Sequence, residues 1–86
     1  MKVIGMYRDK RRKTELKTFI SVNMTNNPKF NELLAKIDTL PSEYIDELYT
    51  KLEMIGPLKA MGMQGMIDKA TKELKEMIES SLRYHE

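Results

Sequence analysis

From Met63 to Tyr84 the chain keeps one apolar period. Met63, Ile67, Ala70, Leu74, Met77, Ser81 and Tyr84 follow one another at alternating steps of four and three, the narrow seam of a coiled coil. Met66, Ile78 and Leu82 widen the seam to a face that needs a cover. Either the preceding helices or a second copy of the chain can provide it, so Met63, Ile67, Ala70, Leu74 and Met77 are read as a core or dimer seam.

The length sharpens that choice. Eighty-six residues make one domain, and a domain this small draws only a few kcal/mol of net stability from its own core. With no cysteine, disulfides and thiolate metal sites are excluded, which leaves homodimerisation or a bound partner as the remaining aid. Met1 to Tyr7 hold one lysine and an apolar run far shorter than that of a signal peptide. No stretch reaches the roughly 18 apolar residues of a membrane span. The expected setting is the cytoplasm, without membrane contact.

Upstream, Lys2 to Tyr7 is short, apolar and rich in strand-favouring residues. Asp9 to Lys13 has no apolar residue and is read as a loop. From Thr14 to Met24 the even positions are Thr14, Leu16, Thr18, Ile20, Val22 and Met24, against Glu15, Lys17, Phe19, Ser21 and Asn23. Period two, broken only by Phe19, predicts a half-buried strand. The two strands make an antiparallel hairpin over 2–24, which must pack on helices to be stable.

Thr25-Asn26-Asn27-Pro28 is turn chemistry with Asn27 as N-cap and Pro28 at the first helical position. A helix over about 28–39 turns Phe30, Leu33, Leu34, Ile37 and Leu40 to one face. Pro41-Ser42-Glu43 opens a second over 41–55, with Tyr44, Ile45, Leu48, Leu52 and Ile55 inward and acids in its first turns. Gly56-Pro57 is expected to end it. The last helix starts between Pro57 and Lys59 or near Gly65, and runs over about 58–84. The predicted fold is α+β, in the order ββααα: an N-terminal β-hairpin packed on three α-helices, the last one long.

Function is less constrained. His85 is the one histidine and stands next to last, and Ser21, Ser42, Ser80 and Ser81 have no base near them in sequence, so no nucleophile and base pair can be assembled. No calcium-loop spacing and no phosphate-cradling glycine motif occurs. The sequence therefore predicts no catalytic residue, no metal site, no cofactor and no small-molecule substrate.

Two features point to binding. Residues 1–24 carry seven bases and two acids, giving +5, while residues 25–86 carry eight and eleven, giving −3. The cations concentrate in Arg8, Lys10, Arg11, Arg12, Lys13 and Lys17. On a hairpin tip they would meet an acidic protein surface or nucleic acid, and otherwise they solubilise and guard a strand edge. Phe19, on the polar face, is either an ordinary exposed aromatic or a contact residue. The second feature is methionine: Met54, Met61, Met63 and Met66 either fill a loosely specified core or line an adaptable binding surface.

Thr18 to Ile55, an alternating strand followed by two helices, resembles the ribbon-helix-helix group of dimeric DNA-binding regulators. The resemblance implies base-reading roles for Lys17, Phe19, Ser21 and Asn23 on a ribbon shared by two chains. An extra strand before the ribbon, a long loop and a long final helix depart from that group, and pairing of Lys2–Tyr7 with Thr14–Met24 would crowd out the shared ribbon. The first expectation is thus a non-enzymatic regulatory or inhibitory binding protein of bacterial or mobile-element type, docking through its basic loop. DNA binding is the alternative.

Overall fold

The computed structural model describes the backbone of residues 2–83 and the side chains of residues 9–83. Its elements are α1 (Lys2–Asn23), α2 (Phe30–Thr39), α3 (Ser42–Ala60), α4 (Gln64–Ser80) and a closing 3₁₀ turn, Ser81–Arg83. There is no strand among the described residues. The predicted α+β class and its N-terminal β-hairpin are therefore corrected to an all-helical bundle, in which one helix runs through both supposed strands and the supposed loop.

The reason is legible residue by residue. Leu16, Phe19, Ile20 and Met24 are all buried and stand at i, i+3, i+4 and i+8, one helical face. Phe19, the exception to the alternating pattern, is what completes it. The even positions that a strand would also bury are solvent-facing: Thr14 and Thr18 are exposed, and Val22 is 73% exposed. Thr14 and Thr18 turn their hydroxyls back onto the carbonyls of Lys10 and Thr14, a local bond open to threonine in a helix. Lysine and arginine are good helix formers, and no glycine or proline interrupts the chain between Tyr7 and Thr25. Burial of the four apolar side chains outweighs the few tenths of a kcal/mol lost at each β-branched residue.

The other helices follow their predicted faces. Leu33, Ile37 and Leu40 from α2 and its end, with Ile45, Leu48 and Ile55 from α3, are buried; Phe30, Leu34, Tyr44 and Leu52 are partly buried against them. Asn27 does not cap α2 directly. It forms a turn in which its Oδ1 accepts from the Lys29 amide at 2.8 Å, and its Nδ2 donates to Glu79 Oε2 at 2.8 Å, tying the α1–α2 connection to the end of α4.

Gly56-Pro57 does not end α3, which continues to Ala60. Proline removes one amide and disturbs the ladder locally, yet its carbonyl still accepts from the Met61 amide at 3.0 Å. The true stop is Gly62, whose φ of +69° lies in the left-handed region that glycine adopts without a Cβ penalty. The Gly62 amide bonds the Lys59 carbonyl and the Met63 amide bonds the Leu58 carbonyl, both at 3.1 Å. This pair of reversed bonds is a Schellman motif. It moves the start of the last helix to Gln64, beyond the expected start between Pro57 and Lys59 and next to the Gly65 alternative.

Candidate functional site

The basic segment lies in the middle of α1, and its turns divide it between solvent and the bundle. Lys10 and Arg11 point outward; the Arg11 side chain is 78% exposed and pairs with Glu15 one turn on, at 3.4 Å. Arg12 points inward, with a side chain only 21% exposed, and pairs with Asp46 of α3. Its guanidinium also lies 5.4 Å from the ring centroid of Tyr49, a cation–π arrangement. Lys17 pairs with the Asp38 carboxylate at 2.7 Å. Lys13 reaches the Asp38 carbonyl at 3.4 Å, so both lysines set positive charge at the C-terminal end of α2, where the helix dipole favours it. Phe19 is in the core. The Arg8 side chain lies outside the described residues.

Glu15 and Tyr49 complete this seam. The Tyr49 hydroxyl donates to Glu15 Oε2 at 2.7 Å, and that hydrogen bond, followed by burial and by the negative charges of Glu15 and Glu53, pushes the phenol pKa up against the opposing pull of Arg11. On the same side Ser42, at the start of α3, donates to Asp9 of α1 at 2.6 Å. Much of the charge asymmetry between the two parts of the chain is thus spent internally: a basic helix lies against acids of α2 and α3. Of the seven residues expected to meet a partner, Lys10 and Arg11 are the described ones that are exposed.

The last-helix seam is covered from within the chain. Leu74 is fully buried, Ile67 and Ala70 nearly so, and Met77 packs against the core from a partly buried position. Ile78, set beside the seam in the sequence pattern, is fully buried, because a straight helix, at 3.6 residues per turn, falls about 20° short of two full turns in each heptad and the apolar stripe drifts toward it. Met63 lies outside the core at 38% exposure, displaced by the turn at Gly62. Tyr84 is outside the described residues.

The methionines of the α3–α4 corner face solvent. Met54 is 52%, Met61 64% and Met66 51% exposed. With Met63 they are four of the five large apolar side chains most exposed among the described residues, Val22 being the fifth. Met54 and Leu58 fall at i and i+4 on one side of α3, and Met61, its C-cap, follows at i+7. The sequence signal for this surface is a gap in charge: residues 54–67 contain a single charged residue, Lys59, in a chain that is 33% charged.

Among the described residues no group of three potential metal-ligating side chains comes together. An open groove between the α1–α2 connection and the end of α4 is lined by Asn27, Lys29, Glu76, Glu79, Ser80 and Arg83, with charges of both signs. No described helix is long and apolar enough to cross a membrane. No family model matches the chain, and neither a curated protein nor a solved structure matches it.

Proposed function

We propose that this is a non-catalytic binding domain, a small regulator or inhibitor that docks on a partner macromolecule through the methionine corner of α3 and α4. The observation that carries the reading is the exposure of Met54, Met61, Met63 and Met66 together. Small monomers seldom leave clustered apolar side chains in water without a use for them, and the unbranched, polarisable thioether suits a surface that adapts to its partner. A cytoplasmic setting belongs to the same proposal, supported by the cysteine-free composition.

The test is capture from the native host with immobilised protein. Met61→Lys with Met66→Lys is expected to lose the partner, and Lys10→Glu with Arg11→Glu to keep it. The reverse pattern would move the contact to α1. Arg12 is unsuited to such a comparison, since its pairing with Asp46 makes it part of the fold.

A second reading, nucleic-acid binding, draws on the outward cations Lys10 and Arg11. It no longer draws on the ribbon-helix-helix resemblance, because residues 17–23 are helical and offer no ribbon. Retention in a gel shift that falls steeply with added salt would favour it; no retention at low salt removes it.

A further inference from the structure

We infer that the occupant of the methionine corner is a second copy of this chain, paired about a two-fold axis beside the Gly62 turn. The inference rests on the docking reading above and gives that surface its partner.

Charge is the first argument. A nucleic acid or an acidic peptide needs cations at the contact, and within residues 54–67 the corner offers only Lys59. The exposed charges at its margin are Glu53, Lys59, Asp68 and Lys69, two of each sign. A surface whose few charges balance opposes its own copy with no net like charge, and a two-fold axis can set acid against base at both ends.

Area is the second. The chain exposes 6153 Å², whereas a folded monomer of 10.1 kDa is expected to expose about 5,300 Å². The surplus, roughly 850 Å², belongs to the chain as a whole, and covering ~800 Å² on each partner is what a standard interface would do. Shape agrees with it. The bundle measures 37 × 34 × 18 Å with a radius of gyration of 13.2 Å, where a compact chain of this length is expected near 12 Å. It is a thin plate about two helices deep, short of depth in one direction. Methionine on a two-fold axis also suits self-pairing, because each flexible side chain can settle beside its own counterpart without a fixed shape to match.

The measurement is molar mass by light scattering over a dilution series of the full chain, with circular dichroism on every variant. Wild type is expected to show twice 10.1 kDa at the concentrated end. Met61→Lys with Met66→Lys is expected to show the single mass with unchanged helicity, both sites being more than half exposed. Because the chain lacks cysteine, Met61→Cys should give a disulfide-linked dimer under mild oxidation and Val22→Cys, on α1, should not. A wild-type mass of one chain throughout overturns the inference, as does a dimer that survives the two lysines. If the wild type is a monomer, capture from the host separates the two ideas: a partner lost with the lysine pair leaves the docking reading standing, and an unchanged capture profile ends that as well.

Discussion

Arg12 on α1 lies between the Asp46 carboxylate, which it pairs with, and the ring of Tyr49, which its guanidinium overlies at 5.4 Å. Two adjacent turns of α3 thereby hold one side chain of α1, and Glu15, one turn further along α1, accepts the Tyr49 hydroxyl. This seam joins the basic and acidic parts of the chain.

Replacing Arg12 by lysine keeps the charge and loses the planar stacking on Tyr49. Arg12→Lys should therefore cost stability, and a double-mutant cycle of Arg12→Ala with Asp46→Ala should return a coupling of about 0.5–1 kcal/mol, because Asp46 remains more than half exposed. Urea denaturation of Arg12→Lys and of the four proteins of the cycle checks both.

Phe19→Ala removes a core side chain that is 7% exposed and should cost about 3 kcal/mol or more, lowering Tm by over ~10 °C. Val22→Thr, three positions on and 73% exposed, should stay within ~0.5 kcal/mol of wild type. A strand would reverse the two results, so thermal melts of this pair test the helical register of α1.

Gly56 and Gly62 should respond to alanine with opposite signs. Gly56 lies inside α3 with nothing within 4 Å of an added Cβ, so Gly56→Ala should stabilise by roughly 0.5–1 kcal/mol. Gly62 holds φ +69°, and Gly62→Ala should destabilise by roughly 1 kcal/mol. Calorimetry of both variants decides.

The raised phenol pKa of Tyr49 favours the protonated form in the folded state. Its contribution to stability is complete below the ordinary tyrosine value of about 10 and disappears as pH rises through the higher folded value. Alkaline unfolding should therefore gain a component that Tyr49→Phe removes. Absorbance titration of wild type and variant, followed in parallel by circular dichroism, measures it.

Dilute peroxide should convert Met54, Met61, Met63 and Met66 to sulfoxides well before Met24, which is 5% exposed, since oxidation follows access to the sulfur. Peptide mass spectrometry over time gives the order.

How much of this the sequence discloses depends on which residues carry the signal. For α2 and α3 the inward residues Leu33, Ile37, Leu40, Ile45, Leu48 and Ile55 are buried as their spacing indicates, because helical periodicity and the Pro41 start agree. For α1 they conflict. Leu16, Ile20 and Met24 satisfy both period two and period four, and only Phe19 distinguishes them, along with a charged stretch that lacks glycine and proline. Pro57 misleads in the other direction: its ring marks a helix stop in general, while the actual stop needs the positive φ that Gly62 supplies. The corner methionines could be recognised as a cluster, but whether they lie inside or outside depends on where that turn falls.

The connections between helices also bear on how quickly the chain reaches this state. They span residues 24–29, 40–41 and 61–63, so consecutive helices meet by closing very short loops, a process of nanoseconds to microseconds. Helical chains assembled mainly from such neighbouring pairs fold in microseconds to milliseconds. A newly synthesised copy would then hide its core long before it encounters another, leaving only the methionine corner to be settled by concentration.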